Sequence, residues 1–318
     1  MKWEYLREEE FDGAIEKSGG LCVLPIGCVE KHGQHLPVGC DSIMASRLAE
    51  LAAETEDVMI FPTAMWLGDV GGYHSLQGEL INSRKSRGNI AIKISTLMLI
   101  LEELCDEIYR NGFRKILLLN GHGGNQQLLG QFARSQAYEP KPYATMWTNC
   151  WATPDILPEN MYPLVQQRKE EFSYLTDEDM QALARFAETG TGGGHGDWRE
   201  TALMYAFCPE SVAADKFDAE SGASTHRADY LSKEGVFHGL SWEMNYPNAY
   251  DGFPPFGCSE NIGKATAALA AERLARIFKM LKEDEDCVRM ATRQPKIPKY
   301  LRYTIKSTEQ AEWMRIKV

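Results

Sequence analysis

Apolar runs alternate along this chain with longer segments of helical period. Residues 21–27 (LCVLPIG), 58–66 (VMIFPTAMW), 115–121 (KILLLNG) and 143–151 (YATMWTNCW) read as strands. Between them, residues 42–54 (SIMASRLAELAAE) repeat apolar positions at three- and four-residue spacing, and residues 88–111 do so over a longer, Ile- and Leu-rich stretch. Both are predicted as crossover helices. Residues 125–137 (NQQLLGQFARSQA) follow NGHGG at once, giving a strand, glycine turn and helix, and residues 198–207 and 264–283 supply later helices. The alternation predicts an α/β fold, a mostly parallel sheet with helices on both faces.

Some segments break the pattern. Residues 151–180 carry several prolines and the charged cluster QQRKEEF, and are read as an excursion from the core. Residues 211–262 are rich in Gly, Asn, Pro and aromatics with weak periodicity, which predicts long loops, and loops of that length are often functional. The chain turns basic and aperiodic near its end. This divides it into one domain over residues 1–287 and an arm at 288–318 that lies on the surface or contacts another subunit.

Composition narrows the function. The 318 residues suffice for a large core, and 44% hydrophobic with 25% charged residues is ordinary for a soluble globular protein. A net charge of −11, with no basic stripe, argues against nucleic acid as a partner. The N-terminal segment is charged and lacks a signal-peptide core, and no stretch of about eighteen apolar residues follows. The expectation is a cytoplasmic protein with no membrane partner. Its eight cysteines are spread out, without a C-x-x-C pair, and are expected to be reduced.

Chemistry concentrates in glycine-flanked loops. In CVEKHGQHLPVGCD (28–41), Glu30 and His32 stand two apart, so on extended backbone both project to one face and reach a common ion. Asp41 falls just ahead of a helix, where ligation and an N-cap are both open readings. His35 taken alone is a hydrogen-bonding histidine, and Cys28 and Cys40 read as packing more readily than as thiolate ligands. His122 sits between glycines at the carboxyl end of a strand, where ligands of open α/β sheets gather, and Gly123 lets backbone approach a ligand. A phosphate-binding turn competes with that reading, yet GHGGN satisfies neither nucleotide-binding glycine pattern.

A third loop, TGGGHGDWRE, repeats the theme with His195 and Glu200. Seven histidines placed at random would seldom give three such loops. Mixed His and carboxylate donors suit zinc, manganese or iron. Glu30, His32, Asp41, His122 and Glu200 suffice for two divalent ions sharing a bridging carboxylate, which can activate a water for hydrolysis. His195 then remains as general acid or base, with Glu200 beside it. His74, in another glycine-rich loop, is a candidate substrate contact, and Trp147, Trp151 and Trp198 are candidate walls for a flat ligand, with core packing the safer reading for any one of them.

LPIGCVEKHGQHLPVGCD, LLLNGHGGN and HGDWRET resemble, in order and spacing, the three signature segments of the creatininase (creatinine amidohydrolase) family. The resemblance spans roughly residues 20–285. It implies a three-layer αβα sandwich in a single domain, two divalent ions, zinc or manganese with iron possible, a small-molecule substrate and frequently a homohexamer. It also implies an amidohydrolase acting on a cyclic amide or formamide-like C–N bond. By position, Glu30, Asp41 and His122 would hold one ion, His32 and Asp41 the second, and His195 would transfer protons. Creatininase has a glutamate two residues after the second-block histidine, where this chain has Gly124, so Glu200 is the candidate replacement. Asp197 and Trp198 replace the commoner Gly-Glu and become candidate substrate contacts private to this branch. These departures put creatinine in doubt and leave a cyclic ketone such as an inosose derivative (C–C cleavage) as an alternative, alongside a nucleotide- or phosphate-binding module.

Overall fold

Four parallel strands, β1 (Leu21–Ile26), β2 (Met59–Ile60), β3 (Lys115–Asn120) and β4 (Ala144–Asn149), pair in the order β2-β1-β3-β4. They belong to a computed structural model that describes residues 1–293 except 64–66, 71–87, 152 and 190–192. In chain order the helices are α1 (Phe11–Lys17), α2 (Cys40–Ala52), α3 (Ile94–Arg110), α4 (Asn125–Ser135), α5 (Pro158–Gln167) and α6 (Asp177–Thr189). There follow α7 (Trp198–Phe207), α8 (Asp229–Lys233), α9 (Ser241–Asn245), α10 (Glu260–Glu283) and α11 (Asp286–Arg293).

Every residue of β1 and β3 is buried, because both faces of the sheet are covered. Leu21, Val23, Leu117 and Leu119 enter one core with α2, α5, α6, α7 and α10. Their neighbours Cys22, Leu24, Ile26, Ile116 and Leu118 enter the other with α3 and α4. The period-two alternation of the strands thus separates two helical layers, and the fold is a three-layer αβα sandwich in one domain.

Two prolines set the limits of pairing. Val23 accepts from the Phe61 N–H (2.8 Å), so Pro25, two residues on, faces the same neighbour and, with no N–H to offer the Phe61 carbonyl, ends the pairing with β2. Pro62 points to the other side of β2, where the Ile60 N–H donates to Met1 (2.8 Å), and has no N–H to continue that pairing.

The crossover from β1 through α2 leads outward to β2, whereas that from β3 through α4 leads the opposite way to β4. The loops following β1 and β3 diverge and leave a crevice at the carboxyl ends of these adjacent strands.

Residues 151–180 are not an excursion from the core. Ile156, Met161, Val165 and Phe172 are buried in the core that also holds α2 and α10. Pro154 and Pro158 occupy first-turn positions, where the absent N–H is an orphan anyway, so these prolines start helical segments. Residues 211–262 are mostly irregular around α8 and α9. Of the segment 288–318, residues up to 293 continue α11, and the remainder lies outside the described residues. No described helix is long and apolar enough to cross a membrane. All eight cysteines are free thiols.

Close packing of α10 on α7 depends on Gly263, where an added Cβ would lie 2.3 Å from the Ala202 carbonyl oxygen. Gly130 in α4 has nothing within 4 Å of such a Cβ. In urea unfolding, Gly263→Ala is expected to lose about 1–3 kcal/mol by overpacking. Gly130→Ala is expected to gain about 0.5–1 kcal/mol through helix propensity.

Candidate metal centre

Backbone contact brings the two loops together. A Cβ at Gly121 would lie 2.1 Å from the Asp41 carbonyl oxygen, so glycine alone allows the end of β3 to meet the start of α2. The Asn120 side chain accepts from the His122 N–H (3.1 Å) and donates to its carbonyl (2.6 Å), fixing His122 over that contact. In the first loop the Glu30 N–H donates to Val38 (3.0 Å), and Gly33 (φ +63°) makes the turn between Glu30 and Asp41. Gly39 caps α2, which places Asp41 in the first helical turn and not at the cap. The third loop is held by Asp251, which exchanges backbone hydrogen bonds with His195 (2.9 and 2.8 Å).

The carboxylate of Asp41 divides between two histidines. Its Oδ2 is 3.0 Å from His122 Nδ1, and its Oδ1 is 3.0 Å from His32 Nε2. Glu30 Oε1 lies 3.1 Å from His122 Nδ1 and 3.5 Å from His195 Nδ1, and Glu200 Oε2 lies 3.7 Å from His32 Nε2. Glu30, His32, Asp41, His122 and Glu200 are all buried. The rings of His32 and His195 stack at 4.1 Å.

Each of these histidines commits its other nitrogen to a main-chain carbonyl. His122 Nε2–H donates to Asp69 (2.7 Å), His32 Nδ1–H to Glu30 (3.0 Å) and His195 Nε2–H to Lys31 (2.7 Å). The tautomer is thereby set, and the remaining nitrogen of each ring is aimed at the carboxylates, the arrangement that orients metal-binding imidazoles. The separations suit a shared cation, because two donors each about 2.0–2.2 Å from one ion stand roughly 3–3.5 Å apart. The donor set and its spacing therefore fit divalent ions.

Charge in the cluster is strongly coupled. Burial alone would hold the His32 imidazolium down, but Asp41, helped by Glu200 and Glu30, raises its pKa to about 10. His122 is likewise raised well above the usual range against its burial, by Cys28, Glu30 and Asp41. Burial disfavours the Glu30 and Asp41 carboxylates, yet His122 and His195 around Glu30, and His32 and His122 around Asp41, hold both below the ordinary range. Without an ion, protons on the histidines neutralise the buried carboxylates. A divalent cation would replace them.

A cavity of about 430 Å³ opens from this cluster, lined by Glu30, His122, Gly123, His195 and Glu200 on one side and by Trp151 and Trp242 among its walls. Trp198 does not reach it. That ring is 1% exposed and packs on Phe186 in the core. Asp197 is not among the lining residues either, and its buried carboxylate caps α7, accepting from the Arg199 (3.1 Å) and Gly194 (2.5 Å) N–H groups. Trp147 packs against the core formed with α3 and α4. His74 lies outside the described residues. At Gly124 a Cβ would meet the Asp69 carbonyl at 2.5 Å and His122 Nε2 at 2.6 Å, so the position has no room for the glutamate of creatininase.

Some participants escaped the sequence reading. Cys28 is no mere packing residue, since its Sγ–H donates to Asp41 Oδ2 (3.0 Å) and its sulfur joins the group of Glu30, Asp41 and His122. Its place two residues before Glu30 was the available signal. Arg199, Trp242, Glu243 and Asp251 also line the cavity, the last three from the aperiodic stretch 211–262.

The family model described as creatinine amidohydrolase matches residues 4–278. Among curated proteins, a creatinine amidohydrolase of Pseudomonas putida is 23% identical over 121 residues, 38% of this chain and 44% of that protein. A 3-dehydro-scyllo-inosose hydrolase of Thermotoga maritima is 31% identical over 108 residues, 34% of this chain and 31% of that protein. The chain thus aligns with less than half the length of either. A solved structure described as "Creatininase Mn" superposes with a TM-score of 0.60 at 16% identity, over 89% of this chain and 99% of that one, which shows the shared fold.

His35 links the first and third loops, its Nε2–H donating to the Gly196 carbonyl (2.8 Å). Burial lowers its pKa from 6.5 to about 4, against the pull of that hydrogen bond. Between these values the unfolded chain binds the extra proton, so stability rises with pH from about 4 to 6.5 and is lost on acidification. The contribution is up to about 3 kcal/mol. Denaturant titrations across this range should show a flatter profile for His35→Asn than for the parent chain.

Proposed function

The chain belongs to the creatininase family, also described as creatinine amidohydrolase, and from that premise we propose that it is a metal-dependent hydrolase with two ion subsites meeting at Asp41. The observation that carries this reading is the division of the Asp41 oxygens between His122 and His32, each ring having its other nitrogen fixed on a carbonyl. Glu30, Asp41 and His122 would hold one ion, and His32, Asp41 and Glu200 the other. Zinc and manganese suit this donor set, with iron a further choice. Bound ions would supply Lewis acidity toward a carbonyl and lower the pKa of a water.

The protein's own groups supply the rest. His195 presents Nδ1 beside Glu30 while its Nε2 stays bound to Lys31, so one nitrogen is left to give or take a proton. Trp151 and Trp242 offer flat walls for a small ring and keep water from its faces. The reaction we assign is hydrolysis of a C–N bond in a cyclic amide or formamide-like substrate. Creatinine is the substrate named for the Pseudomonas relative, and the absent glutamate at Gly124 argues against carrying it over. The similarity to the inosose hydrolase keeps cyclic ketones in the assay. A phosphate-binding turn is disfavoured by Glu30, Glu200, Glu243 and Asp251 around the cavity.

Metal analysis should find two ions per chain, and activity should fall on chelation and return with zinc or manganese in a screen of cyclic amides, formamides and cyclic ketones. Asp41→Ala is expected to weaken metal binding about 100-fold or more. His195→Asn should keep the metal and lower kcat by about 10²–10⁴-fold. Full-rate hydrolysis by metal-free protein would refute the assignment.

A further inference from the structure

Of the described residues that line the cavity, Arg199 is the only arginine or lysine. It is 7% exposed, and its Nε is sealed from solvent with no hydrogen-bond partner among the described residues. Nη2 fares little better, with the Gly194 carbonyl at 3.5 Å and Glu200 Oε1 at 4.0 Å. A guanidinium has five donors, and leaving them so poorly met in a buried place is costly. Glu200 fills the gap only in part, because Oε1 stays 4.0 Å from Nη2 while Oε2 accepts from the Gly196 N–H (2.6 Å) and faces His32. The Arg199 guanidinium carbon stands 5.2 Å from the Trp151 ring centroid, which helps hold the charged group at the cavity wall.

We propose that Arg199 receives a carboxylate of the substrate, so that the substrate class is a small monoanionic acid carrying its hydrolysable bond elsewhere in the molecule. This deepens the hydrolase reading and rests on it only in placing that bond beside Glu30, Asp41 and His122. A guanidinium fork matches a planar carboxylate, with two parallel N–H donors for its two oxygens. A phosphate dianion is disfavoured beside Arg199, since Glu243 and Asp251, which lie outside the proposed ion subsites, share these walls. Carboxylated cyclic amides and N-acyl amino acids are the compounds with the required features. In the family-like third block, Arg199 lies directly before Glu200, so a residue that selects the substrate adjoins one proposed to hold an ion.

Benzoate and benzamide, which share a flat ring and differ in charge, serve as probes of metal-loaded protein by calorimetry. The parent chain should bind benzoate about tenfold or more tightly than benzamide. Arg199→Met should erase the preference, and Arg199→Lys, which keeps the charge and not the fork, should restore part of it. Equal binding of both probes by the parent chain, binding of neither, or a benzoate preference that survives Arg199→Met would overturn the proposal. Inorganic phosphate displacing benzoate more strongly than acetate does would overturn the carboxylate assignment. Metal analysis of the same samples separates the two readings: normal metal content without a benzoate preference refutes this inference alone, and an Arg199-dependent preference in protein that takes up no metal refutes the hydrolase alone.

Discussion

The organisation of this protein turns on one buried carboxylate whose two oxygens serve different imidazoles. Asp41 and its neighbours Glu30 and Glu200 are withdrawn from water, and ionised carboxylates in such a place require compensating positive charge. Protons on His32 and His122 provide it in the absence of an ion, as the raised pKa values of both rings express. The same side chains would bind divalent cations once those protons leave. Exchange of protons for metal is thus built into the electrostatics of the cluster.

The fold supplies the remaining constraint, which is distance. Opposed crossovers from β1 and β3 open a crevice between adjacent strands, and Gly121 lets the end of β3 approach the backbone of Asp41. Loops far apart in sequence therefore place Glu30, His122 and His195 on the wall of one cavity. Main-chain carbonyls of Asp69, Glu30 and Lys31 then orient the rings, so the precision of the site comes from backbone. His35 adds a tie between the first and third loops.

Much of this was legible in the residues alone. Strands β1 and β3 stand out as apolar runs, and recurrence of histidine beside glycine marked the loops that converge. Helical geometry explains an error: Trp198 and Glu200 are two residues apart on α7, about 200° around the axis, so a helix that turns Glu200 to the cavity sends Trp198 into the core. Asp197 stands out because it departs from the family's commoner residue, and that departure serves an N-cap. Prolines at 154 and 158 suggested an excursion, although first helical turns accept proline readily. Trp242, Glu243 and Asp251 come from a stretch without period, where nothing local shows which side chains face inward.

Anomalous diffraction from crystals grown with zinc, recorded on both sides of the zinc edge, addresses the central claim most directly. The account predicts two peaks about 3.5–4 Å apart, one beside each Asp41 oxygen, with His122 and Glu30 at the first and His32 at the second. Peaks only at other places, or an Asp41 carboxylate with no zinc beside it, would contradict it.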